Sequence, residues 1–362
     1  MPQKYNQTRA LLAIAKASFT SIFKSPSATF FSLFFPIVLI VIFGSLGGGG
    51  GTSFDIAIES GSDTTSSIYQ AITHAPIFNV IHDTDSSIQD RLKKGRITAI
   101  LSIRKTDSSK YDVHIKNTSA GQRELPAVRG VLNGMINEIS QQGHPVEKVA
   151  TLSSEEVEGR VYKRIDFYLP GMIGFSLIGS AVFGVAFLFF ALRETLVLKR
   201  MYASPVSKSN IVIGESLGRV LFQLIIVIVL ILFGKYAYGF TLVNGFVTFL
   251  ELLVLSTLAL IVFMGFGFFI SSVAKNQNVI PIYANLFMFP QYFLSGTFFP
   301  RTALPKSINW LMEALPLTSL NDALRKVAFE GAHLTDCWKQ IGILGIWGVI
   351  IYALTIWVFR WE

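Results

Sequence analysis

Apolar residues gather in six long runs, separated by polar stretches of very unequal length. A helix that crosses a bilayer core needs about 20 mostly apolar residues. The stretches 26–46, 167–191, 211–234, 243–270, 277–300 and 338–360 meet that need and predict six transmembrane helices. Pro281 and Pro290 predict a kink in the fifth, tolerable where neighbouring helices re-satisfy the freed backbone groups.

The long hydrophilic stretch, 47–166, lies between the first two runs. It opens on GGGGGTS (47–53), which has no Gly-Lys-Ser/Thr after it and reads as a flexible linker, not a phosphate loop. Beyond it, FDIAIES, IFNVI, RITAILSIR and YDVHIK alternate as strands do, while TSSIYQAITHA, SSIQDRLKKG and LPAVRGVLNGMINEIS carry helical spacing. That mixture predicts a small α/β domain with its own core. The fold class expected is therefore an α-helical polytopic membrane protein of six transmembrane helices with an inserted extracytoplasmic α/β domain.

Residues 1–25 place Leu11, Leu12, Ala15, Phe19, Ile22 and Phe23 on one helical face, with Arg9, Lys16, Thr20 and Lys24 opposite. Such a helix lies in the membrane interface or is solvated in the cytoplasm; Ser25-Pro26 ends it. The segment 301–337 is semi-polar yet rich in apolar residues, as external re-entrant or interfacial helices are. No small-residue cleavage site follows the first run, so it is expected to remain as a span.

Charge orients these elements. Lys4, Arg9, Lys16 and Lys24, then Arg193, Lys199, Arg200 and Lys208, then Lys275, and finally Arg360 fall on one side if six spans alternate. Both termini are then cytoplasmic. Trp338 and Trp361 bracket the last span as interfacial anchors. Composition agrees: 51% of the 362 residues are hydrophobic and 15% charged, against roughly a quarter charged in soluble domains. The net charge of +8 thus reports membrane orientation and no nucleic-acid partner. One cysteine, Cys337, excludes an intrachain disulfide and a Cys-rich metal site.

Polar residues inside spans are costly and mark contacts worth weighing. Glu215, Arg219 and Gln223 recur every four residues on the third span; they line an inner mouth or relay motion from the coupling loop, or they tie that span to its neighbours. Asn278, Asn285 and Tyr292 stand at heptad spacing on the fifth, lining a path or bonding between helices. Glu251, nearer the outer end of the fourth, meets a cationic substrate or interfacial water. Ser176, Ser180 and Gly184 form a small-residue row on the second span, where another helix can come close within the subunit or across a dimer.

Several motifs stand in a fixed order: YLPGM (168–172, with Pro170 and Gly171), LSGTFFP (294–300, with Gly296 and Pro300), Leu304-Pro305, LPLT (315–318, with Pro316) and ALRKVAFEG (323–331). With the six-span layout, they resemble the permease subunits of ABC type-2 exporters, in the bacterial group with an extracytoplasmic domain between the first two spans. In that family the loop between spans two and three holds a Glu-x-Gly-Thr-like element, an apolar helix and a Pro-x-Ser element, and it docks on an ATPase. The resemblance implies that residues 192–210 form this coupling helix. Glu194 and Thr195 match its first element, without the glycine; Leu198, Met201 and Tyr202 supply the apolar face; Pro205 and Ser207 match the last.

The chain has no Walker-type phosphate loop and no metalloprotease or C-x-x-C motif, and its five histidines show no ligand-like spacing, so catalytic, cofactor and metal residues are expected to be none. The resemblance then implies a non-catalytic permease subunit that moves amphipathic or hydrophobic substrates outward. ATP and Mg would be bound by a partner ABC ATPase subunit. A second permease copy would complete the pathway, as homodimer or sister-permease heterodimer in the lipid bilayer. The alternative is a membrane-anchored sensor with an external ligand-binding domain.

Overall fold

The computed structural model describes residues 6–45, 54–107, 110–118, 125–143, 150–157, 163–196, 206–301 and 304–358. Two compact units emerge: Met1–Leu46 with Arg164–Glu362, and Gly47–Lys163. In the first, α1 (Gln7–Phe23) starts at Asn6, whose side chain accepts the Arg9 N–H at 3.1 Å and satisfies an otherwise orphaned donor. Helix α2 (Pro26–Thr29), a π-helical turn (Phe30–Phe34) and α3 (Phe35–Ser45) then form one unbroken helical run.

The second unit is a mixed α/β fold. Its elements are β1 (Phe54–Ile58), α4 (Ser67–His74), β2 (Phe78–Ile81), α5 (Asp85–Lys93), β3 (Ala99–Asp107), β4 (Lys110–Thr118), α6 (Leu125–Gly143) and β5 (Ala150–Val157). The sheet order is β2-β1-β3-β4-β5; β3 and β4 are antiparallel and the other neighbours parallel. Alternation along the strands gives each face its own core. Leu101, Ile103, Val113 and Ile115 pack with Ile68 and Ile72 of α4 and Val128, Leu132 and Ile136 of α6. Ala57 and Ile100 point the other way, onto Ile88 and Leu92 of α5. Strand β5, with the sequence ATLSSEEV, carries no strand signal in the sequence. It is a polar edge strand with one neighbour, so it lacks the apolar alternation that reveals a strand.

The first unit resumes with α7 (Arg164–Glu194), α8 (Lys208–Tyr238), α9 (Phe246–Val273), α10 (Ile280–Leu294), α11 (Asn309–Ala314), α12 (Pro316–Arg325) and α13 (Trp338–Val358). Among the described residues, four helices are long and apolar enough to cross a membrane: α7, Ser209–Tyr238 of α8, α9, and Leu334–Val358, which contains α13. The expected first and fifth spans are shorter as helices. Within the first, the apolar stretch is Phe30–Phe43. Helix α10 has 15 residues, about 22 Å at 1.5 Å per residue, against the expected span of 277–300. It stops at Leu294 because Gly296 turns the chain with φ +71°, a conformation glycine adopts without strain. Pro281 does not kink α10; it sits in the first turn, where its missing N–H costs nothing, and only Pro290 lies inside.

In a bilayer, helix association gains little from removing water, so packing and interhelical hydrogen bonds hold the bundle together. Helix α7 is central: Leu169, Met172, Ile173 and Leu177 are fully buried. Helix α12 is also sunk into this core, with Leu317, Leu320, Asn321 and Leu324 inaccessible.

Candidate functional site

The ends of the expected coupling segment are well anchored. At its start, Arg193 donates from Nη2 to the carbonyl of Ala274, which caps the C-terminus of α9, at 2.9 Å. A cation there also meets the negative end of the helix dipole. Glu194 is exposed at the last turn of α7, the Thr195 hydroxyl donates to Ala191 O at 2.7 Å, and Leu196 follows in a left-handed conformation, φ +57°. At its end, Ser207 caps α8 by accepting the Asn210 N–H at 3.2 Å. Gln7 of α1 clamps the same turn: its Oε1 accepts from Ser207 N at 3.1 Å and Asn210 Nδ2 at 2.9 Å. Leu198, Met201, Tyr202 and Pro205 lie outside the described residues.

Helix α1 lies along α8 through two small residues. A Cβ on Gly214 would stand 2.9 Å from Ile14, and one on Gly218 would stand 2.6 Å from Ala15 O. Ser18 reaches across to Glu215 O at 3.3 Å. Residues 214–218 do spell Gly-x-Ser-x-Gly, the nucleophile-elbow pattern. Here they lie within a continuous helix with both glycines covered, so the strained strand-to-helix turn that exposes a nucleophile is missing.

The polar stripe of α8 faces the small-residue row of α7. Gln223 Nε2 donates to Ser176 Oγ at 2.8 Å, and Ser176 Oγ donates to Ser32 O in the π-helical turn at 2.6 Å, joining three helical segments. One turn away, the Arg219 guanidinium rests on Gly184, where a Cβ would come within 2.4 Å of Nη1. Glu215 and Arg219 come within no ion-pair distance of each other among the described residues, although each feels the other's charge. Arg219 turns toward α7, and its buried Nε has no acceptor.

The other sequence-derived polar residues scatter. Asn278 is exposed in a short 3-10 turn before α10, and Asn285 is half-buried. Tyr292 is buried against the ring of Phe175, centroids 4.5 Å apart, and its hydroxyl faces Met288 Sδ, on its own helix, at 3.7 Å. Glu251 is engaged: Oε1 lies 3.0 Å from His333 Nδ1 and accepts Leu334 N–H at 3.3 Å, tying α9 to the chain before α13.

The ordered motifs converge. Gly171 lets α7 touch the turn after α10, where a Cβ would stand 2.6 Å from Thr297 O. Pro170 is buried beside it. Asn321 of α12 donates from Nδ2 to Ser295 O at 3.3 Å and Thr297 Oγ1 at 3.1 Å. Arg325 donates to Gly296 O at 2.5 Å and Phe167 O at 3.2 Å, its guanidinium 4.1 Å above the Phe167 ring. Pro316 starts α12, and Gln291 Oε1 accepts the Leu317 N–H at 3.2 Å. Pro300 and Pro305 are exposed at the outer edge of this turn. The node provides hydrogen bonds and rigidity. No metal-holding group of His, Cys, Asp and Glu occurs among the described residues.

Residues 26–357 match the family model described as ABC-2 family transporter protein. The chain belongs to that family. Over 372 aligned residues it is 24% identical to ABC transporter G family member 20 of Dictyostelium discoideum, covering 95% of this chain and 50% of that protein. It is 22% identical to the linearmycin resistance permease protein LnrN of Bacillus subtilis, covering 95% of this chain and 98% of that one. A 163-residue stretch is 24% identical to the probable multidrug ABC transporter permease YbhR of Escherichia coli, covering 45% and 42%. The chain thus spans half the length of the Dictyostelium relative. ABC-2 membership sets aside the sensor alternative.

Within this ABC-2 chain, sequence reasoning missed Gln7, Gln291, Asn321 and Arg325 as functional contacts. Asn321 and Arg325 stand four apart on α12, the spacing that flagged Glu215, Arg219 and Gln223. They escaped notice because 301–337 reads as an external segment, where polar residues are unremarkable. Gln7 carried no signal, since a polar residue at a helix start is ordinary.

Proposed function

We propose that the chain is the permease subunit of an ATP-driven exporter that carries amphipathic or hydrophobic molecules outward, with ATP and Mg held by a separate ABC ATPase subunit. The match to ABC-2 family transporter protein over residues 26–357 carries this reading. The names of LnrN and YbhR support drug-like cargo. Six spans, both termini cytoplasmic and residues 47–166 outside complete the arrangement; the placement of Lys and Arg supports it. Helical backbone unbroken from Pro26 to Ser45 supports a first span, and Pro290 with the Gly296 turn makes the fifth a short one.

Residues 192–210 dock on the ATPase through Leu198, Met201 and Tyr202, between Glu194-Thr195 and Pro205-x-Ser207. The anchors favour this role: a push on the segment reaches α9 through Arg193 and reaches α1 and α8 through Ser207 and Gln7. A second permease subunit, identical or a sister, faces the first, and the Glu215–Arg219–Gln223 stripe with Asn278, Asn285 and Tyr292 are candidates for the path or its supports.

Copurification with the partner ATPase tests the docking. A Leu198→Asp, Met201→Asp double variant is expected to lose the ATPase while inserting normally; equal capture by wild type and variant sinks the assignment. Vesicles holding both subunits should move substrate only with ATP.

A further inference from the structure

A cavity of about 400 Å³ opens between α9, α10 and α13. Its walls include Phe269 and Val273 of α9, Tyr283 and Leu286 of α10, and Trp347 and Ile350 of α13. The volume lies within the range of ligand sites, about 300–1,000 Å³. These walls are aliphatic and aromatic. The Trp347 indole N–H is already spent on Ala314 O at 2.7 Å, which leaves the ring as an apolar wall.

Most of the lining lies toward one end of the bundle, with Trp347 near the middle of α13. Phe269 and Val273 are in the last turns of α9, Tyr283 and Leu286 in the first turns of α10, and Ile350 in the second half of α13. Helices α9 and α13 run in the same direction, with Tyr352 donating to Ile261 O at 2.8 Å and Thr355 to Gly265 O at 3.3 Å. The mouth adjoins apolar side chains that face outward, Leu286 being 74% exposed and Ile350 44%, so the cavity is continuous with the lipid-facing surface.

Charge marks the same end. Lys275 is exposed two residues beyond Val273. Arg193 holds its guanidinium against Ala274 O at 2.9 Å, one residue beyond Val273. An apolar slot open to lipid, with two cations at its end, is complementary to a long hydrocarbon chain carrying an anionic head. We propose that this cavity seats one acyl chain of an anionic phospholipid whose headgroup lies at Lys275 and Arg193. The lipid wedges α9, α10 and α13 at the end nearest the 192–210 segment, and the site is independent of which molecule is exported.

The test uses the full chain in detergent with Trp347 as its only tryptophan, Trp310, Trp338, Trp357 and Trp361 being replaced by Phe. Phosphatidylglycerol with dibrominated acyl chains is titrated as a contact quencher. Trp347 fluorescence is expected to fall saturably, at about one lipid per chain. The cavity-filling change Ile350→Phe should remove the saturable component. Lys275→Glu, which leaves the cavity intact, should weaken it about tenfold for phosphatidylglycerol and little for brominated phosphatidylcholine. A second chain keeping only Trp338, at the other end of α13, should show linear quenching. The proposal is overturned if Trp347 quenches linearly as Trp338 does. It is equally overturned if saturation survives Ile350→Phe, if Lys275→Glu leaves both lipids unaffected, or if the cavity is protected because a second copy of the chain covers it.

Discussion

Gln223 and Ser176 meet across α8 and α7 at 2.8 Å, and Ser176 passes the bond on to Ser32 O at 2.6 Å. The serine is the hub: it accepts from one helix and donates to another. Ser176→Ala deletes both bonds and leaves the Gln223 amide, whose Oε1 is already without a partner, wholly unpaired. Interhelical hydrogen bonds in membranes average about 0.6 kcal/mol and reach about 1.7. Ser176→Ala should therefore cost about 1–2 kcal/mol, and Gln223→Leu, which keeps the Ser176–Ser32 bond, clearly less. Reversible unfolding of the solubilised protein measures both; equal losses would contradict the hub.

Gly171 and Gly184 are both packed too closely for a side chain, but against different things. A Cβ on Gly171 would press on the Thr297 backbone carbonyl at 2.6 Å, and one on Gly184 would press on the flexible end of Arg219 at 2.4 Å. A backbone held by Asn321 and Arg325 cannot yield, whereas a guanidinium can swing. Gly171→Ala should cost about 1–3 kcal/mol, the usual range for overpacking, and Gly184→Ala less. Thermal melting of the two variants in one detergent decides it: Gly184→Ala should retain the higher midpoint.

In the α/β unit, burial raises the pKa of Asp55 above 3.8, partly opposed by the hydrogen bond from Asn79 Nδ2 at 2.7 Å. The folded unit holds this proton more tightly than the unfolded chain does. Its contribution to stability is therefore fullest below pH 3.8 and declines as pH rises through the raised value. Asp55→Asn keeps an oxygen acceptor for Asn79 and removes the titration. The variant should be more stable than wild type at neutral pH, with the advantage shrinking as pH falls toward 3.8. Hydrogen exchange of the β1–β2 amides across that window gives the comparison.

Long apolar runs made α7, α8, α9 and α13 legible, because each carries its whole burial signal locally. The same holds for β1, β3 and β4, whose side chains alternate between two covered faces. What stayed hidden depends on partners distant in sequence. That Arg219 rests on Gly184 is decided by how α7 lies on α8. The role of Gly171 is invisible until Thr297 arrives beside it, although both fall within motifs that the family resemblance had already singled out. Strand β5 is specified mainly by its neighbour β4.

Leu196 has φ +57°, two residues after α7 ends at Glu194. The left-handed region costs an L-residue with a Cβ roughly 1–2 kcal/mol, and glycine almost none. The family element carries its glycine before the threonine, whereas here the left-handed residue comes one position after Thr195. Leu196→Gly should relieve the strain but enlarge the entropy of the unfolded chain, for a net gain of about 0.5–1 kcal/mol. Leu196→Asn, a residue that tolerates this region, should be at least neutral, and Leu196→Val should lose stability because its branched Cβ crowds the backbone further. Melting midpoints ordered Gly above Leu above Val support the left-handed turn; a Val variant equal to wild type rules it out. ATPase copurification should be retained in the Gly and Asn variants, since Leu198, Met201 and Tyr202 are unchanged.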